Sequence, residues 1–136
     1  MKEIWAWTQT AFVGLGALLG WYLGGLDGFL YALIAFVVVD YITGVLRAIV
    51  EKKLSSRIGA HGIAKKVAIF LVVGIGHLID TYLINGTGAP LRTAVIFFYI
   101  ANEGVSLLEN ATAIGLPVPA KLKDVLAQLH GKEGNA

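Results

Sequence analysis

The chain contains no cysteine, so a disulfide scaffold and a thiolate metal site are both excluded. Charge is scarce as well, at 15% of residues, against about 25% in a soluble domain. Only three prolines occur, at Pro90, Pro117 and Pro119, which leaves long stretches without a breaker. What fills those stretches is apolar: 57% of residues are hydrophobic and the mean hydropathy is +0.73. A soluble domain sits nearer about 45–50% apolar, so the excess requires a second solvent, and lipid supplies it. Glycine is abundant at 17 residues, many of them inside apolar runs, a habit of membrane helices. The net charge of +2 says little by itself; its placement says more.

Four apolar runs are legible. The first, residues 4–24, carries no charge between Glu3 and Asp27 and has Trp5 and Trp7 at one end and Trp21 and Tyr22 at the other, as interfacial anchors. It is too long for a signal-peptide core and lacks a small-residue cleavage site. The others cover 29–50, 67–84 and 91–108. A helix of about 20 residues crosses a hydrocarbon core of about 30 Å. The expected fold is therefore an all-α membrane protein with about four transmembrane helices, three being the alternative count. Two units follow: a transmembrane domain over 1–116 and a cytoplasmic tail over 117–136.

The connection 51–66 differs from the rest. With Arg47 just before it, it holds Lys52, Lys53, Arg57, Lys65 and Lys66 against the single acid Glu51, six of the chain's eleven basic residues. The positive-inside rule makes this loop cytoplasmic and, for four spans, both termini cytoplasmic too. Anionic lipid headgroups are its expected partner; nucleic acid is not expected. In the tail, Leu122, Val125, Leu126 and Leu129 recur at i, i+3, i+4 and i+7, the signature of a short amphipathic helix lying on the membrane or docking a partner. Residues 131–136 read as disordered.

Gly16, Gly20, Gly24 and Gly28 recur every four residues, a packing face for close helix approach within this chain or between copies. Intramembrane polar residues carry more information. Asp40 and Arg47 lie on the second run, His77 and Asp80 on the third, Asn102 and Glu103 on the fourth. A charge at mid-bilayer costs roughly 2.5–3.5 kcal/mol on insertion scales, so these groups must face one another or water. Counting about 1.5 Å per residue from the expected span ends puts Asp40, His77, Asp80 and Glu103 at one level. That shared layer is either a satisfied network that locks the bundle, the lining of a water-filled path, or a proton relay. His77 with Asp80 has no serine or cysteine nucleophile motif beside it. No catalytic residue, cofactor or metal is expected, and the chain is not read as an enzyme.

The segments Asp40-Tyr-Ile-Thr-Gly44-Val-Leu-Arg47, Lys52-Lys53-Leu-Ser-Ser-Arg57-Ile-Gly59, Gly62-Ile-Ala-Lys65-Lys66 and Asn102-Glu103-Gly-Val-Ser106-Leu-Leu-Glu109-Asn110 are arranged in the order found in the toxin-secretion/phage-lysis holin family. The chain resembles that family over about residues 25–130. The resemblance implies a multi-pass protein of the bacterial host's cytoplasmic membrane that oligomerises into lesions. Through these an endolysin, or in some relatives a large toxin, leaves the cell and the host lyses. Implied partners are the bilayer, further copies of the chain, an endolysin without a stable complex, and an antiholin. The alternatives are a small oligomeric channel or transporter, and an antiholin that restrains a partner holin. The family brings no catalytic residues with it.

Overall fold

The computed structural model describes residues 1–85 and 87–134, with side chains described as far as residue 128. Five α-helices follow in order: α1 (Lys2–Leu23), α2 (Gly28–Val50), α3 (Ser56–Leu78), α4 (Pro90–Ile114) and α5 (Ala120–Gly134), with a π turn over Ile79–Ile84 extending α3. Among the described residues, three helical stretches are long and apolar enough to cross a bilayer: α2, α3 with its π turn, and α4. Thr8, Gln9 and Thr10 together with the flanking tryptophans dilute α1, which forms as a helix but is not among those three. Only 22–33% of each spanning stretch is buried within the protein, so most of the apolar surface faces outward. That exterior suits lipid, not water.

The ends of the helices have local causes. The Asp27 carboxylate accepts from the Leu30 amide at 2.9 Å and starts α2; the Ser55 hydroxyl accepts from the Ile58 amide at 3.2 Å and starts α3. Because of that cap, α3 begins at Ser56 instead of Val67 and absorbs most of the segment expected as a loop. Hydropathy marks where a helix turns apolar, not where it begins. Gly24 ends α1 in the left-handed region at φ 85°, and Gly115 ends α4 at φ 102°. The supposed four-glycine face is thereby broken: Gly24 is a cap, and Gly28 is the first residue of α2.

Contacts fix the directions. Asp27 at the start of α2 meets Arg92 at the start of α4, and Asp40, midway along α2, meets Asn110 near the end of α4, so these two directly packed helices run parallel, with α3 antiparallel to both. Leu23, Leu30, Leu33, Val37, Ile69, Val73 and Ile96 make the buried apolar core. Between lipid-bathed helices close packing has to supply what hydrophobicity does not, and glycines permit it. A Cβ at Gly76 would sit 3.3 Å from the Arg92 backbone, and one at Gly74 would overlap the Tyr22 ring, whose hydroxyl donates to the Leu71 carbonyl at 2.8 Å. The tail turns back along α4, with Leu126 buried against Gly104 and Phe36. Leu122 and Val125 remain exposed, the Leu129 side chain lies outside the described residues, and α5 runs on to Gly134, into the stretch read as disordered.

Helix α1 stands apart. All residues from Met1 to Leu19 are exposed, and a Cβ at Gly14, Gly16 or Gly20 would meet nothing within 4 Å among the described residues. Only its last turn, through Tyr22 and Leu23, joins the bundle.

Candidate functional site

Polar side chains gather in two places. In the middle of the bundle, α2 contributes Asp40, α3 Lys66 and α4 Glu103, and the Lys66 ammonium donates to both carboxylates. The three side chains are 7%, 14% and 5% exposed, respectively. Asn110 completes the cluster, its amide donating to Asp40 Oδ1 and to Thr43 Oγ1 at 3.2 Å each. Three helices are thus pinned through one ammonium. Charges this deep are tolerated only when partnered, since the desolvation of each ion amounts to several kcal/mol.

An open cavity lies on either side. One of about 210 Å³ is bounded by α2, the first turns of α3, and α4; Asp40, Lys66, Ser106 and Asn110 make its polar part. Another of about 450 Å³ holds Lys65, Tyr99, Asn102, Glu103, Ser106 and Glu109. Asp40 and Ser106 border both. Among the described residues no cluster of three or more histidine or acidic side chains is placed to hold a metal ion.

The second cluster sits where α1 turns into α2 and α4 begins. Arg92, 4% exposed, donates through Nε to the Leu23 carbonyl at 2.6 Å, through Nη1 to the Asp27 carboxylate at 2.7 Å and through Nη2 to the Gly25 carbonyl at 2.9 Å. Asp80, buried in the π turn, accepts from the Leu91 and Arg92 amides at 3.0 and 2.8 Å. It supplies the N-terminal cap of α4 from another helix, because Ala89 precedes Pro90 and has no side chain for the task.

The guanidinium of Arg92 holds the Asp27 carboxyl below its ordinary value of 3.8, outweighing partial burial, and the hydrogen bond from the Leu30 amide adds to the effect. A carboxyl lowered on folding stabilises the fold above its unfolded value, and that contribution disappears as pH falls through the lower, folded one. Melting the purified protein between pH 6 and pH 2.5 is expected to show an acid loss, and Asp27→Asn should make the curve shallower below about pH 4. Parallel curves for the two proteins would remove Asp27 from that role.

The expected single polar layer is therefore divided. Asp40 and Glu103 meet, and Asn102 lies beside them on the larger cavity. His77 and Asp80 do not join them, because α3 starts so early that both come near its far end; Asp80 caps α4, and His77 lies against Gly24, 2.6 Å from where its Cβ would be. Arg47 is half-exposed and bonds Glu51 at 3.1 Å, one turn on. Of the residues assigned to lipid headgroups, Lys52, Lys53, Arg57 and Lys65 are exposed, whereas Lys66 is turned inward. Periodicity held the clue: Lys66, Ile69 and Val73 fall at i, i+3 and i+7, one buried face, and Lys65 falls off it. Arg92 and Asp27 were not anticipated, although an arginine two residues into an apolar run was a signal.

Comparison with known proteins adds a second line. Residues 17–131 match the model of a family described as the bacteriophage holin family. An uncharacterized 14.9 kDa protein of Clostridium perfringens is 42% identical over 133 residues, covering 98% of this chain and all of that one. A protein of Listeria monocytogenes is 45% identical over 122 residues, covering 90% and 86% of the two chains. A probable holin of Bacillus phage phi105 is 41% identical over 106 residues, 77% of this chain and 76% of its own. No solved structure matches.

Proposed function

Because this chain belongs to the bacteriophage holin family, whose members are membrane lysis effectors and not enzymes, we propose that it assembles in the host cytoplasmic membrane into lesions that release an endolysin and trigger lysis. It is a membrane-integral protein with three stretches apolar enough to span. The observation that carries the reading beyond the family is α1. Its surface is exposed from Met1 to Leu19, and Gly14, Gly16 and Gly20 have none of the chain's own described residues against them, while Gly62, Gly74, Gly76 and Gly104 are all closely packed. A second copy is the partner that fits, with α1 inserted as a fourth span and both termini cytoplasmic. Lys52, Lys53, Arg57 and Lys65 then face anionic headgroups, each worth about 1 kcal/mol near the surface. The tail helix α5 lies at the cytoplasmic side as an amphipathic element, with Leu126 inward.

A narrow channel is the second reading, favoured by the two cavities that flank Asp40 and Glu103. Co-expression with a cytoplasmic muralytic enzyme separates the two. Abrupt lysis after a delay supports lesions; growth arrest with the enzyme retained inside supports a channel. An antiholin would produce neither when expressed alone. For the assembly itself, Gly20→Leu is expected to reduce chemically crosslinked oligomers several-fold in membranes, since a side chain there keeps helix backbones apart. Unchanged oligomers would exclude that face from the contact.

A further inference from the structure

The larger cavity, between α3 and α4, does not end at α4. It shares Val105 and Glu109 with a third of about 270 Å³ between α4 and α5. The two make one groove that follows α4, with α3 on one rim and α5 on the other. Its α4 wall is polar: Asn102, Ser106, Glu109 and Thr112 recur along one side. Each rim carries an exposed lysine, Lys65 on α3 and Lys123 on α5. Among the described residues Lys65, Glu109 and Lys123 form no ion pair, in contrast to the satisfied Asp40–Lys66–Glu103 cluster behind them. Asn102 stands twelve residues from each end of α4, about 18 Å either way, so the groove reaches the middle of the span.

The seat of α5 bears on the same groove independently. Leu126 packs on Gly104, ten residues short of Ile114, so α5 enters from the cytoplasmic side and stands alongside α4 to a depth of about 15 Å. Of its described side chains only Leu126 is buried; Lys121, Lys123, Asp124 and Gln128 are exposed. Charged groups at membrane depth face a partner or water, because hydrocarbon solvates neither sign. An upright helix that exposes an ammonium and a carboxylate is therefore placed for water. We propose, on the lesion reading above, that assembled copies turn this groove toward the water, so that α4 lines the passage and α5 stands inside it. Asp40 and Glu103 then lock the bundle, whereas Asn102, Ser106 and Glu109 face what passes. The apolar exteriors of α2 and α3 are left for lipid and for neighbouring copies.

Since the chain has no cysteine, single cysteines can report which side meets water. Asn102→Cys and Glu109→Cys are compared with Val39→Cys and Val72→Cys, on the exposed apolar sides of α2 and α3; Val39 adjoins Asp40 and so lies near the depth of Asn102. Ser106→Cys, a one-atom change on the same wall, stands in if Asn102→Cys fails to fold. The probe is 2-sulfonatoethyl methanethiosulfonate, a charged reagent that needs the thiolate, which forms in water and not in hydrocarbon. It is added to cells expressing the full chain without endolysin, once growth stops, and parallel cultures with endolysin score lysis for each variant. Labelling at the groove positions is expected to be at least tenfold faster than at Val39→Cys and Val72→Cys. Groove cysteines that label as slowly as Val39→Cys, in variants that still lyse, would overturn this lining and leave the lesion standing. Failure of the unaltered protein to lyse cells with endolysin would overturn the lesion, and the lining with it.

Discussion

Replacing Lys66 by methionine is expected to destabilise the folded bundle by about 3–5 kcal/mol, the loss typical when one member of a buried ion cluster is removed. Methionine keeps the length and most of the volume of the side chain, so little of the loss comes from packing. It comes from Asp40 and Glu103, left side by side at 7% and 5% exposure without the ammonium that bridges them. Lys65→Met, one residue earlier and exposed, should change stability by no more than about 0.5 kcal/mol. Unfolding in detergent micelles measures both. A third protein makes the test sharper: Lys66→Met combined with Asp40→Asn and Glu103→Gln removes every charge of the cluster and should recover most of the loss. If Lys66→Met behaves like Lys65→Met, the ammonium does not hold the three helices together.

Arg92→Leu is the second large effect, at about 2–4 kcal/mol, since charge-assisted hydrogen bonds contribute about 1.5–3 kcal/mol apiece and do not add. The upper end is not reached because the Asp27 side chain is 46% exposed and turns to water when its partner goes. The consequence is local. Arg92 joins the last turn of α1, the start of α2 and the start of α4, so its loss should release α1 first. Limited proteolysis in nanodiscs is expected to cut near Gly24 and Gly25 well before the rest of the chain. Arg92→Lys should rescue little, because one ammonium cannot replace a planar fork that reaches three acceptors. Asp27→Asn should be milder, with the Leu23 and Gly25 bonds still in place. Cleavage rates equal to those of the unaltered protein would show that α1 is held some other way.

Much of this architecture could be read from the sequence, and the misreadings share a cause. The runs 29–50 and 91–108 became α2 and most of α4 because a continuous apolar stretch in lipid has no structure open to it but a helix. Asp40 and Glu103 were found because a charge in such a run needs a partner. The partner itself was hidden: Lys66 belongs to a row of basic residues, and its membership of a buried face emerges only once α3 is known to begin at Ser56. The same early start moved His77 and Asp80 away from the level expected of them. Arg92 was hidden differently. Its acceptors are two backbone carbonyls and an aspartate 65 residues away in sequence, and carbonyl acceptors leave no mark on composition. The glycine stripe failed at Gly24 for a third reason: a period of four says which residues could share a face, but not where the left-handed turn ends the helix.

That turn has a mechanical consequence. α1 is a rod of 22 residues, about 33 Å long at 1.5 Å per residue, and it is clamped at one end only. Gly24 and Gly25, both at positive φ, form the elbow. A swing of about 10° at the elbow would carry the Met1 end through roughly 6 Å, about the rise of one helical turn, while the Asp40–Lys66–Glu103 core stays still. The protein is thus divided into a rigid body and a lever, and neighbouring molecules within reach of the lever can be engaged without any repacking of the body.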